Sequence, residues 1–167
     1  MTNWPSGIKW LWLTTLVVIL DLWTKSLASQ HLQMHDPIAV ITGFNLTLMH
    51  NYGAAFSFLG DAGGWQRWFF ICLTLIVSTF IVIWLYGLKA NQRWIAVALA
   101  MILGGALGNL WDRINLGYVV DFIDVSISFL PWRIFNPWPA FNIADSAITI
   151  GATMLIIDAI WFNNETA

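Results

Sequence analysis

Long runs of apolar residues dominate the hydropathy pattern of this chain, and short polar segments separate them. A helix needs roughly 20 residues to cross the hydrocarbon core of a bilayer, and lipid offers its backbone no hydrogen bonds. The runs that approach this length cover approximately residues 8–28, 68–88, 94–110 and 141–161. The pattern therefore predicts a mainly α membrane protein, with four transmembrane helices in a single domain over residues 1–167.

Two stretches between the runs have a different pattern. Residues 36–60 alternate imperfectly, are rich in β-forming residues and contain turn signals at Gly43 and Gly53. We expect them to form a small extracytoplasmic β-sheet on the outer membrane surface. Residues 111–140 contain prolines that exclude a continuous helix there, namely Pro131, Pro137 and Pro139. This second stretch is predicted to be an irregular outer loop.

The composition supports a membrane protein and excludes some functions. Hydrophobic residues make up 59% of the chain and charged residues 10%, proportions that do not suit a soluble domain. The net charge of -2, without any cluster of basic residues, makes nucleic acid an unsuitable partner. Cys72 is the only cysteine, so an intramolecular disulfide is excluded, and we expect its side chain to be packed in the interior.

The orientation in the membrane is inferred from the basic residues. The short loop between Lys89 and Arg93 concentrates positive charge, which favours a cytoplasmic position. Both termini are then cytoplasmic as well, although a bare count over all loops slightly favours the reverse. The first run is expected to be a retained helix, because Asp21 and Lys25 interrupt the region where a cleaved signal would be neutral.

Polar residues cluster beside three of the predicted spans, each time with i, i+3, i+4 spacing that puts them on one helix face. A charge at membrane depth is costly, and with both termini inside, all three faces lie in the same leaflet and can form one pocket. Structural interpretations remain open: an N-cap at Asn142, and ion pairs within the first and second clusters. The clusters are Asp21, Thr24 and Lys25; Asn109, Asp112 and Arg113; and Asn142, Asp145 and Ser146.

Small residues recur at spacings that allow two membrane helices to pack closely. Gly104 and Gly108 lie on one face of the third span, and Ala147 and Gly151 on one face of the fourth. These pairs predict close contacts between backbones, which would bring the polar clusters together.

Carboxylates carry the chemistry that this pocket could perform. A serine nucleophile in a G-x-S-x-G turn is absent, and the histidines do not form a zinc motif, so no metal is expected. Two close carboxylates share a proton and can act as general acid and base. Asp145 lies in the first turn of a helix, whose dipole favours the ionised base. The spacing leaves Asp121 and Asp124 as alternatives for its partner.

Two other functions remain possible from the residues alone. A proton- or ion-coupled small membrane transporter also uses intramembrane carboxylates, although it would place them along a path to both leaflets. Apart from Asp158, the acids here gather near one leaflet. A structural membrane subunit would not explain why separate helix faces combine asparagine with aspartate.

Five motifs in order make the chain resemble the bacterial lipoprotein signal peptidases, also called signal peptidase II. They are Asp21-Leu-Trp-Thr-Lys25, Asn51-Tyr-Gly-Ala-Ala-Phe56, Gly104-Gly-Ala-Leu-Gly-Asn-Leu-Trp-Asp-Arg113, Val119-Val-Asp-Phe-Ile-Asp124 and Phe141-Asn-Ile-Ala-Asp-Ser146. The resemblance implies a four-span aspartyl peptidase that removes signal peptides from prolipoproteins, before a cysteine that carries diacylglycerol. It assigns the catalytic roles to Asp121, rather than Asp124, and to Asp145.

The same resemblance implies further roles and a location. The residues expected to line or support the pocket are Asn51, Gly53, Asn109, Arg113, Asn142, Asp21 and Lys25. Prolipoproteins and membrane lipid are the expected partners, no cofactor is implied, and we expect a monomer. The protein would lie in the bacterial cytoplasmic (inner) membrane as a multi-pass protein, with its active site near the outer leaflet.

Overall fold

The computed structural model describes residues 6–53, 63–126 and 138–162, and in this part of the chain four long helices form a bundle. They are α1 (Leu11–His31), α2 (Trp65–Gly87), α3 (Arg93–Asn115) and α4 (Ile143–Ile157). A short 3-10 turn (Ile8–Trp10) precedes α1, and a π-helical turn (Asp158–Phe162) extends α4. With these extensions, each helix is long and apolar enough to cross a membrane. The predicted fold class is therefore confirmed.

The helices differ from the apolar runs mainly at the C-terminal end of α3. The third apolar run stops near residue 110, but the helix continues to Asn115. It continues because the polar side chains of its last turns bond to other parts of the protein, as described below. The chain then leaves the helix and turns at Gly117, whose φ of 87° is in the left-handed region.

A small antiparallel sheet lies at one end of the bundle. In the described residues its order is β1 (Ile38–Ile41), β2 (Phe44–Asn51) and β3 (Val119–Val125). The turn between β1 and β2 uses Gly43, with φ of 83°. We call the end of the bundle that carries this sheet the sheet end. It includes the C-terminal ends of α1 and α3 and the N-terminal ends of α2 and α4.

The strand β3 was not expected from the sequence. The prediction of an irregular connection over residues 111–140 is wrong where α3 continues and where β3 pairs with β2. The pairing partner of β3 is about 70 residues earlier in the chain, as the register of Asn51 with Val119 shows, so no local pattern indicated it. Residues 54–60 of the predicted sheet region and residues 127–137 of the predicted loop lie outside the described residues.

The central helix is α3, which packs against α1, α2 and α4. Its glycines allow this close packing: a Cβ added at Gly104 would lie 2.7 Å from the Cβ of Val17 on α1. A Cβ at Gly105 would overlap the carbonyl of Ala144 on α4, and one at Gly151 would lie 2.6 Å from the carbonyl oxygen of Ala98 on α3. The predicted close contacts are therefore confirmed, and they bring the polar ends of α1, α3 and α4 together.

The expectation that Cys72 is buried is wrong. Its side chain is exposed on α2, as are those of Ile76 and Phe80 on the same helix. In a membrane helix an exposed apolar side chain faces lipid, which is as apolar as a protein core. Hydrophobicity alone therefore could not separate the two environments.

Candidate active site

Asp121 is one of two aspartates at the centre of the polar cluster. It lies on β3, only 2% exposed, and both of its carboxylate oxygens accept hydrogen bonds from amides. The Nδ2 of Asn142 donates to Oδ1 at 2.7 Å, and the Nδ2 of Asn51 on β2 donates to Oδ2 at 3.1 Å. The side chain of Asn51 is itself held by the backbone N–H of Gly53, at 3.0 Å. Asp121 is thus fixed between the sheet and the start of α4.

Asp145, the second aspartate, lies in the first turn of α4. Its Oδ1 accepts a hydrogen bond from Asn109 Nδ2 of α3 at 2.8 Å. Its Oδ2 accepts one from the backbone N–H of Asn142 at 3.2 Å, while Asn142 Oδ1 accepts from the backbone N–H of Asp145 at 2.9 Å. These reciprocal bonds form a capping box.

Asn142 connects the two aspartates. It caps α4, which was one of the interpretations that the sequence left open, and its side-chain amide also donates to Asp121. Its side chain is fully buried, so both contacts are shielded from solvent. Capping does not exclude a place in the polar cluster, because the side-chain oxygen of Asn142 caps α4 while its side-chain nitrogen bonds to Asp121.

Lys25 of α1 organises the other side of the cluster. Among the described residues, its ammonium lies 2.7 Å from Asp21 Oδ2, 3.0 Å from Asp112 Oδ2 and 2.9 Å from Asn109 Oδ1. Lys25 and both carboxylates are almost completely buried. The group therefore ties α1 to α3 through charge-assisted bonds. We call Lys25, Asp21, Asp112 and Asn109 the lysine network.

The lysine network reaches the backbone beside each central aspartate. Asp21 Oδ1 accepts from the N–H of Ala144, at 2.9 Å, and Ala144 directly precedes Asp145. Asp112 Oδ2 accepts from the N–H of Val120, at 3.1 Å, and Val120 directly precedes Asp121. The lysine network thus holds the backbone directly before each of the two central aspartates.

Asp112 and Arg113 do not form the interfacial pair that the sequence left open. Asp112 pairs with Lys25, and the Nη2 of Arg113 donates to the carbonyl oxygen of Gly53 at 2.9 Å. Adjacent residues on a helix point in directions about 100° apart, so each finds its own partner. Asp112 was not among the residues expected to line or support the pocket. Its spacing of three residues from Asn109, which puts both on one helix face, was the signal in the sequence.

The environment of Asp121 raises its pKa to about 7. Burial is the main cause, because it disfavours the charged carboxylate, and the nearby Asp145 adds to the effect. The hydrogen bonds from Asn51 and Asn142 oppose this shift without cancelling it. Asp121 can therefore carry a proton near neutral pH, as one member of a proton-sharing pair must.

A cavity of about 880 Å³ opens beside the two aspartates. Asp121, Asp145, Asn51, Asn109 and Arg113 line its polar end. The remaining wall is largely apolar and includes Leu73 and Val77 of α2, Ile102 of α3, and Ile148 of α4.

The other predicted site residues are not part of the cavity lining. Gly53, Asn142, Asp21 and Lys25 do not line the cavity but bond to residues that do, directly or through the lysine network. Asp124 accepts a bond from Asn45 at 3.1 Å, on the part of β3 outside the cavity. Among the described residues, no group of three or more histidine, cysteine or carboxylate side chains could hold a metal ion.

Comparisons with known proteins agree on one family. The sequence model described as signal peptidase (SPase) II matches residues 13–161. A lipoprotein signal peptidase of Acinetobacter baumannii is 52% identical over 162 residues, covering 97% of this chain and 89% of that protein. One from Pseudomonas aeruginosa is 52% identical over 154 residues, covering 90% of this chain and 87% of that protein. A solved bacterial membrane enzyme superposes with a TM-score of 0.82 at 32% identity, covering 95% of this chain and 92% of its own.

Proposed function

Since this chain belongs to the signal peptidase II family, we propose that Asp121 and Asp145 are the catalytic pair with which it cleaves its substrates. The protein is a multi-pass membrane protease that removes signal peptides from prolipoproteins. The observation that carries the assignment is the bridge through Asn142, which bonds to both carboxylates at the edge of one cavity. None of the comparisons favours a transporter.

The two aspartates divide the chemistry according to their surroundings. Asp121, whose pKa is raised to about 7, holds the proton that the pair shares. Asp145, at the N-terminal end of α4, takes a proton from water as that water attacks the scissile carbonyl carbon. Asp121 donates its proton to the carbonyl oxygen. As the tetrahedral intermediate collapses, Asp145 passes the proton that it took from water to the leaving nitrogen, and Asp121 recovers its proton from the oxygen that becomes the new carbonyl.

The cavity has a suitable shape for a substrate that is part peptide and part lipid. Its apolar wall, which includes Leu73, Val77 and Ile148, can hold the acyl chains of the diacylglyceryl cysteine or the apolar signal peptide. Arg113 lines the same cavity and can donate to a substrate carbonyl. Asn51 and Asn109 orient the two carboxylates from opposite sides.

The remaining proposals concern location and assembly. Both termini face the cytoplasm, because α2 and α3 are joined by the short basic loop between Lys89 and Arg93. The sheet end of the bundle then lies at the outer leaflet of the bacterial cytoplasmic membrane, where secreted prolipoproteins emerge. The protein acts as a monomer, since the lysine network and the catalytic pair all come from one chain.

The test is cleavage of a diacylglyceryl-modified prolipoprotein by purified wild type and by Asp121→Asn, Asp145→Asn and Asp124→Asn. Asp124 is a matched control, because it is a carboxylate on the same strand that bonds only to Asn45 among the described residues. We expect both dyad variants to lose at least about 1,000-fold in kcat and the control to stay near wild type. Near wild-type cleavage by either dyad variant, in protein that folds normally, contradicts the assignment.

A further inference from the structure

The start of α2 is tied to the end of α3 by Arg67. Its Nε donates to the carbonyl oxygen of Arg113 at 2.8 Å, and its Nη2 donates to that of Ile114 at 2.7 Å. Carbonyls in the last turn of a helix have no partner within the helix, and a cation there is favoured by the helix dipole. From this geometry we infer that Arg67 is a positioning residue, which holds Arg113 in the wall of the cavity for substrate binding.

Arg113 is held by α2 at two points. Arg67 fixes its backbone carbonyl, and its guanidinium lies 5.0 Å from the ring centre of Phe70, one turn further along α2. The side chain then reaches Gly53, whose carbonyl oxygen accepts from Nη2 at 2.9 Å. A shift of α2 relative to α3 therefore displaces the guanidinium from its position in the cavity wall.

The contact between Arg67 and the end of α3 also controls the width of the cavity. Leu73 and Val77 of α2 face the cavity from one side and Ile148 of α4 from another. Within the described elements, α2 packs chiefly against α3 and makes no comparable contact with α4. Arg67 fixes the sheet end of α2, the helix that carries Leu73 and Val77 of the apolar wall. Without it, that wall is free to move away from α4.

Among the described residues, the hydrogen bonds of Arg67 go to the end of α3 and not to the catalytic pair. Asp121 and Asp145 are positioned by Asn142 and Asn109, which belong to α4 and α3 and are supported by Lys25 of α1. Loss of Arg67 should therefore weaken binding of the lipid-modified peptide and leave the chemical step intact. This inference rests on the proposed function, because it assumes that Arg113 and the apolar wall contact the substrate.

The experiment compares the kinetics of wild type, Arg67→Met and Arg67→Lys on one diacylglyceryl-modified prolipoprotein. For Arg67→Met we expect KM to rise roughly tenfold and kcat to stay within about twofold of wild type. Lysine keeps the charge but cannot bond to both carbonyls as a planar fork, so Arg67→Lys should raise KM roughly threefold. Arg93→Met is the control, because Arg93 is exposed at the opposite end of α3, and its KM should not change.

Binding in an inactive background separates this inference from the proposed function. Affinity for the uncleaved lipoprotein is measured in Asp145→Asn protein, with and without Arg67→Met. Cleavage by Asp145→Asn itself would overturn the proposed dyad, whereas unchanged affinity on adding Arg67→Met would overturn the role of Arg67. A fall in kcat at constant KM would also overturn it. If Arg67→Met does not fold, the inference is tested with the KM of Arg67→Lys. A wild-type KM in that variant refutes the inference.

Discussion

Lys25→Met is the most direct test of the lysine network. Methionine keeps much of the length and volume of lysine but removes the ammonium group that bonds to Asp21, Asp112 and Asn109. Asp21 is fully buried and Asp112 is 3% exposed, so neither carboxylate gains water as a replacement partner. The substitution therefore leaves two buried charges without their cation.

The expected magnitude follows from these contacts. Removing one partner of a buried ion pair costs about 3–5 kcal/mol, because the remaining charge stays desolvated. Asn109 Oδ1 keeps a second donor in Asn142, at 3.2 Å, so this acceptor adds little to the loss. Each carboxylate also keeps one backbone donor, Ala144 or Val120, which limits the total. We expect a loss of about 4 kcal/mol in the free energy of unfolding, which corresponds to roughly 10 °C in Tm for a chain of this size.

The assay is thermal unfolding in detergent, followed by tryptophan fluorescence, with prolipoprotein cleavage measured on the same samples. Lys9→Met is the control, since Lys9 is exposed, and its Tm should stay within about 1 °C of wild type. Adding Asp21→Asn and Asp112→Asn to Lys25→Met removes the unpaired charges and should recover at least about half of the lost stability. Equal Tm values for Lys25→Met and Lys9→Met, or no recovery in the combined variant, would refute the reasoning.

Four further predictions concern Asp121, Asn142 and the packing of α3. Because folding raises the pKa of Asp121 from 3.8 to about 7, the free energy of unfolding should fall as pH rises through that window, and thermal unfolding of Asp121→Asn should lack this fall. The value of kcat/KM should likewise fall above about pH 7, where Asp121 loses its proton, and a flat profile to pH 9 would contradict this. Asn142→Ala should lower both Tm and kcat, whereas Asn142→Ser, which restores the cap but not the bond to Asp121, should recover part of the lost Tm and none of the lost kcat. Gly105→Ala should destabilise by about 1–3 kcal/mol, because its methyl group overlaps the carbonyl of Ala144, whereas Gly87→Ala, with no described atom within 4 Å, should be neutral in thermal unfolding.

Local patterns predicted the helical part of the fold. The apolar runs are long enough that only helices can satisfy their backbones in lipid, and α1 to α4 follow them closely. The cap at Asn142 was also predictable, because its signal lies within four residues of sequence. By contrast, β3 was missed, since its hydrogen bonds go to a strand that is distant in sequence. The exposure of Cys72 was missed because lipid and core are equally apolar.

The sequence by itself determined that the chain crosses a membrane and carries an unusual set of acids and amides. It left Asp121 and Asp124 as equivalent candidates until a family resemblance separated them. Only the tertiary structure places Asp121 against Asn142 and leaves Asp124 with Asn45. It also joins Lys25 to Asn109 across 84 positions of sequence. Periodicity reports which face of a helix is polar, but the partner of a buried charge depends on how helices pack, which is decided by contacts between distant residues.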